Sequence, residues 1–347
     1  MAGLSALAAA WAYTEATLAL RITEGLSSGI YASLLGFLGV FLASLSRLPL
    51  LRHLQHFSHR RLALLLSSLL ALLSLPIDSP VLSYVLLSAA FGIASAAAFS
   101  AIVHDERYES WRSSLSALNS LSAGLTALTL FTWNYFHASF APLLLLIAVS
   151  TLTIASFLMR PPLLSGVSLR SLEVFSDILS FRSSAESYLH ARWEAARIAM
   201  LMGGLGALRV TVLSQAFPES GTLSLASYAA GSSLGAAIAF LHNSPGLVFL
   251  LSLPPLAGAP LLPPTVELFL LGISASYAQT AAITYVLERR PRDVFSASAL
   301  LSLFSGAGAA LIGALSLARP EKAYLLASLL ALLLLLLSLL SHRRRWD

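Results

Sequence analysis

Apolar runs of about 20 residues recur along almost the whole chain, which is the length a helix needs to cross the hydrocarbon core of a bilayer. Lipid offers no hydrogen-bond partners, so a spanning segment must satisfy its own backbone as a helix or join a closed barrel. Barrel strands would alternate polar and apolar residues over ~10-residue segments. The runs here are continuous, as in ALLSLPIDSPVLSYVLLSAAFGIASAAAF (71–99), and predict an all-α polytopic membrane protein. A hydrophobic content of 57%, a charged content of 11% and a mean hydropathy of +0.81 exclude an ordinary soluble domain. Breaks at charge, proline and glycine place twelve spans near 4–23, 27–46, 62–77, 81–103, 113–133, 140–159, 195–216, 222–241, 246–262, 266–286, 294–317 and 322–341. The third is short and the ninth is interrupted by Pro254, Pro255 and Pro260, so eleven spans are the alternative.

Basic residues orient these spans, because arginine and lysine concentrate in short cytoplasmic loops. Arg47, Arg52, Arg60, Arg61, Arg107, Arg112, Arg289, Arg290, Arg292 and the tail Arg343–Arg345 fall on one side, together with the arginines of the long connection near 160–194. Only Arg21, Arg319 and Lys322 fall on the other. Both termini are therefore expected in the cytoplasm and the chain in the cell membrane. The net charge of +5 is assigned to loops facing anionic lipid headgroups, with no nucleic-acid partner. Zero cysteines exclude disulfides, thiolate metal sites and a cysteine nucleophile. The first span carries Glu15 and Arg21 and is not read as a cleavable signal peptide.

The connection 160–194 separates residues 1–159 from 195–347 as two expected six-helix bundles. Within it Leu169, Leu172, Phe175 (or Val174), Ile178 and Phe181 recur at helical spacing, which suits an amphipathic helix on the inner membrane surface or a helix tucked under the bundle. The two halves share an internal repeat. Laid at an offset of 182, Glu106, Arg107, Ser114, Ser116, Ala117, Leu118, Ser120, Leu121, Gly124 and Ala127 meet identical residues at Glu288, Arg289, Ser296, Ser298, Ala299, Leu300, Ser302, Leu303, Gly306 and Ala309.

With this layout, and with charged inner loops leading into serine- and glycine-rich helices, the chain resembles the major facilitator superfamily of secondary transporters. FSHRRLALL (57–65) is similar to that family's basic loop motif, Arg60 and Arg61 matching its paired basic positions, while the motif's aspartate and glycine are replaced. The glycine-proline motif of family antiporters is absent from LSAGLTALTLF (121–131). The resemblance implies two pseudo-symmetric six-helix bundles rocking around a small-molecule site near the midplane, with the first and seventh spans lining it, and a gating role for Arg60 and Arg61.

Charges inside the membrane are then the informative residues, because each costs roughly 2.5–3.5 kcal/mol at the centre of a helix. Glu15 lies mid-way along the first span and Arg209 past the middle of the seventh. Glu15 is the candidate proton-coupling carboxylate; Arg209 is its expected partner or the binding group for an anionic solute, the plain alternative being a fixed ion pair. Trp11, Tyr13, Asn119, Tyr228, Tyr277 and Gln279 are candidate lining residues, each of which interhelical packing would also explain.

Other patterns are set aside. GSSLG (231–235) fits a nucleophile motif but sits inside an apolar helix, where small-residue packing explains it. His53, His56 and His59 have no accompanying carboxylate, so neither a metal nor any cofactor is expected. Asp78, Glu219 and Glu267 are expected as solvated outer-surface residues. The absence of H-E-x-x-H and of aspartate-rich motifs argues against a membrane enzyme. A transporter of a small solute, with proton coupling, is the expected function; a non-transporting scaffold or complex subunit is the alternative.

Overall fold

The computed structural model describes residues 57–74, 76–77, 80–104, 111–136, 141–158, 221–242, 244–258 and 261–289. It also describes helical positions at 6, 8–10, 12–13, 16, 201–202, 205, 208–209, 212, 329, 333 and 336. Seven helices are bounded within it: α1 (Phe57–Leu73), α2 (Pro80–His104), α3 (Trp111–Phe136), α4 (Ala141–Leu158), α5 (Gly221–Leu241), α6 (Pro245–Gly258) and α7 (Pro264–Arg289). No strand occurs among the described residues. Among the described residues, two segments, Leu115–Tyr135 and Thr222–Leu241, are long and apolar enough to cross a membrane. The connection 160–194 and the expected spans 27–46 and 294–317 lie outside the described residues.

The reversal of the soluble-protein pattern is plainest in α1. Its buried face carries Arg60, Ala63, Leu64, Ser67, Ser68 and Ala71, while Leu62, Leu65, Leu66, Leu69, Leu72 and Leu73 point outward. Leucine gains nothing by leaving lipid, so small and hydroxyl residues take the helix contacts instead, where close backbones and hydrogen bonds hold the bundle. Ser67 Oγ donates to the Ala90 carbonyl of α2 at 2.7 Å, and Ser68 Oγ pairs with Thr153 Oγ1 of α4 at 2.9 Å. Leu329, Leu333 and Leu336 repeat the outward pattern at helical spacing in the last expected span.

In the second half α5 and α7 pack most closely, because glycines let their backbones meet. A Cβ at Gly231 would run into the Phe269 carbonyl, one at Gly235 into the Ile273 carbonyl, and one at Gly272 into the Tyr228 carbonyl. GSSLG is thus a packing surface on α5, as its apolar surroundings suggest. α6 keeps its helix through Pro254 and Pro255. Proline has no N–H to donate four residues back, which leaves Leu251 O without its helical donor; Ser274 Oγ of α7 donates to that carbonyl at 2.6 Å.

The largest departures from expectation are in α1, which runs from Phe57 to Leu73 against an expected 62–77, and at the end of α6. α1 begins at Phe57, so Arg60 and Arg61 stand in its first turn rather than in a loop. Hydropathy excludes charged residues, whereas helical hydrogen bonding continues through them. α6 ends at Gly258, short of the expected 262, at its alanine- and proline-rich terminus.

Candidate functional site

Four elements converge along one seam. α3 lies against the first span: Thr126 Oγ1 donates to the Ala12 carbonyl at 3.3 Å, and Ala16, Leu130 and Ala226 form one buried cluster. Tyr13, Trp133 and Leu225 pack against that cluster. Leu130 and Ala226 join α3 to α5 there. Further along the same contact Ser120 and Ser233 exchange hydrogen bonds: Ser233 Oγ donates to Ser120 O at 2.8 Å and Ser120 Oγ to Ser233 O at 3.1 Å. Gly124 faces the same serine, for a Cβ there would stand 3.2 Å from Ser233 Oγ. Asn119 Nδ2 reaches Thr280 Oγ1 of α7 at 3.4 Å. Across the α3–α5 contact the two halves of the sequence therefore meet through hydroxyls, a glycine and the Leu130–Ala226 contact, and α5 itself carries no charged residue.

Arg209 enters this arrangement from the seventh span. Its Nη1 donates to Tyr228 Oη at 3.3 Å, and its guanidinium carbon lies 5.2 Å from the centre of the Tyr228 ring. A guanidinium within about 6 Å of an aromatic centre is held by the ring quadrupole as well as by the hydrogen bond. Arg209 is half-buried, so its charge is oriented by Tyr228 yet not sealed away. Such a cation suits the carboxylate or phosphate of a solute, which planar N–H groups bind bidentately.

The sequence-selected residues therefore divide. Arg209 and Tyr228 come together, Tyr13 joins the neighbouring cluster, and Asn119 lies on the α3 face turned to α7. Gln279 is half-buried on α7. Tyr277 is fully buried and serves the end of α5: its Oη accepts from Ser244 N at 3.0 Å and donates to His242 O at 3.0 Å. Trp11 and Glu15 lie outside the described residues, and so do Asp78 and Glu219. Arg60 is fully buried in α1, while Arg61 is half-buried.

Ser120, Ser233 and Thr280 escape sequence reasoning because serine and threonine are common throughout this chain. For Ser120 and Ser233 the signal was their place beside glycines in LNSLSAG and GSSLG; Thr280 carries none. Glu267 is a correction. Expected in contact with water, it is fully buried in the first turn of α7, and neither carboxylate oxygen has a hydrogen-bond partner. Hydropathy marks it as the polar end of a span and cannot see what packs beside that end.

No family model matches the chain, and no curated protein matches it. Solved structures do. The nucleoside transporter NupG superposes with a TM-score of 0.58 at 12% identity, over 97% of this chain and 98% of that one. The Escherichia coli fucose:proton symporter FucP superposes with a TM-score of 0.61 at 14% identity, over 97% of each chain. A second FucP structure, a major facilitator superfamily transporter in the outward conformation, gives 0.60 at 14% identity over the same shares. The fold is that of these multi-pass, all-helical membrane transporters.

Proposed function

We propose that the chain is a divergent major facilitator superfamily transporter that moves a small solute across the cell membrane by alternating access, with both termini cytoplasmic. The observation that carries this reading is the α3–α5 seam. It is close, closed by serine hydroxyls, a glycine and the Leu130–Ala226 contact, and α5 carries no charged residue, so α3 and α5 can part without breaking an ion pair between them. Residues 1–159 and 195–347 are the bundles, joined by 160–194, where charge, serine and proline dilute the apolar runs.

Arg209 is the solute-binding cation and Tyr228 holds it in place. A solute with a carboxylate or phosphate would exchange water for the guanidinium, and Asn119, Tyr13 and Gln279 supply neighbouring polar contacts. Glu15 carries a coupling proton from the first span.

The natural absence of cysteine makes the test direct. Ser120→Cys and Tyr228→Cys proteins in liposomes are challenged with a membrane-impermeant maleimide from either side, with and without metabolites that raise thermal stability in a screen. Expected is labelling from one side that a stabilising anionic solute alters in Ser120→Cys, and stabilisation that Arg209→Gln abolishes. Labelling that no metabolite changes, together with no stabilising metabolite, would overturn the reading in favour of a scaffold.

A further inference from the structure

The arrangement around Glu267 is unusual in what it withholds. The short connection from Gly258 to Pro264, with the contact of Ser274 on Leu251, turns α7 back along α6, so two turns from that contact α7 reaches Glu267 and α6 its terminus at Gly258. That stretch of α6 contains Pro254 and Pro255, and α7 itself starts after Pro263 with Pro264; none of the four prolines has an N–H. The Glu267 N–H is already given to Pro263 O at 3.0 Å. Leu268 and Leu271, its near neighbours on α7, are fully buried. Both oxygens of Glu267 are thus enclosed with no donor.

No charged partner comes from the described helices packed on α7. α6 has no titratable residue and α5 has only Tyr228, which faces Arg209. In α3 the titratable residues are Arg112 and Tyr135; Arg112 lies seven positions before Asn119, whose partner Thr280 is itself thirteen positions beyond Glu267, and Tyr135 is largely exposed. An ionised carboxylate enclosed in this way has no hydrogen bond and, among the described residues, no counter-charge, and the macrodipole at a helix start offsets only part of that cost. Something positive must accompany it.

We infer that Glu267 is a proton-binding site, filled while the α6 terminus lies along the first turn of α7 and emptied when the two part and water reaches the carboxyl. A metal cation would need several oxygens at once, and no group of three metal-binding side chains exists among the described residues. The charge pattern puts this end of the bundle at the outer face, so the proton comes from outside. Gly272, five residues on, packs against the Tyr228 carbonyl. Glu267 and the Arg209–Tyr228 pair thus share the α5–α7 unit, and, resting on the transporter reading, a solute at one is linked to a proton at the other.

The test needs no solute. Wild-type, Glu267→Gln, Glu267→Asp and Glu15→Gln proteins in nanodiscs are compared by infrared difference spectra between acid and alkaline buffer, and by apparent Tm across the same range. A proton bound by the folded state alone stabilises it by mass action, so wild-type Tm rises with acidity. Expected is the loss in Glu267→Gln of one carboxyl's protonated C=O signal and of part of the Tm slope, with both retained in Glu267→Asp and at least this component retained in Glu15→Gln. An unchanged signal in Glu267→Gln overturns the site. A Tm gain in sodium chloride over choline chloride that Glu267→Gln removes overturns it in favour of a sodium ion. Because neither readout involves transport, loss of the site leaves the transporter reading standing, and a failed labelling test leaves the site standing.

Discussion

Replacing Gly231 by alanine tests whether α5 and α7 are held by backbone contact. The added Cβ would stand 2.9 Å from the Phe269 carbonyl carbon, 3.2 Å from Ile273 N and nearer still to the Phe269 oxygen, all atoms of the α7 backbone. No rotamer change relieves such a contact, so the helices must separate by roughly 1 Å, which also opens the contacts at Gly235 and Gly272. Overpacking of this kind costs about 3 kcal/mol, of which the better helix propensity of alanine returns about 1. The net loss of about 2 kcal/mol is about 30-fold in the folded-to-unfolded ratio. Gly124→Ala is the control, since its new Cβ would meet only the Ser233 side chain, which can rotate, and the expected change is within about 1 kcal/mol. Reversible unfolding in mixed micelles with increasing SDS measures both. The reasoning fails if Gly231→Ala unfolds within about 0.5 kcal/mol of wild type, or if Gly124→Ala is the more damaging of the two.

Ser274→Ala should cost about 1–2 kcal/mol by leaving Leu251 O without a donor, and less in a Pro255→Ala background, where the restored N–H can serve that carbonyl; a double-mutant cycle on the same unfolding assay reads the difference. Tyr277→Phe should lower stability by about 1 kcal/mol and raise the rate of protease cleavage near His242–Ser244, because one hydroxyl both accepts from and donates to that connection. Joining the seam through Ser120→Cys with Ser233→Cys should give a disulfide under mild oxidation, seen as a mobility shift after cleavage of 160–194. Once a solute is known, uptake by that protein should stop on oxidation and return with reductant.

The helices were legible because hydropathy and helix length are nearly the same statement in a membrane. The runs at 81–103, 140–159 and 222–241 match α2, α4 and α5 to within a residue at each end. The resemblance in fold was legible from layout and repeat. What was illegible was depth of contact. Tyr277 reads from sequence as a lining aromatic, but a tyrosine thirteen residues past the start of a helix can equally reach around the end of its neighbour, and here it ties down the turn after α5. Arg209 was visible as a cation in an apolar run; its contact with Tyr228 depends on the angle between two helices, which no single-chain pattern encodes. Glu267 was misjudged for the same reason: its burial depends on what packs against the start of α7, which hydropathy along one chain does not encode.

The contrast between the two contacts of α5 has a mechanical consequence. Toward α7 it is welded, glycine against carbonyl, with no room to slide. Toward α3 it rests on hydroxyls that can exchange one oxygen for another within a short travel, as in a bearing. A load applied at either end of α5 would therefore be carried whole into α7 and released as slip against α3, which makes the pair a lever whose fulcrum lies between Gly124 and Ser233.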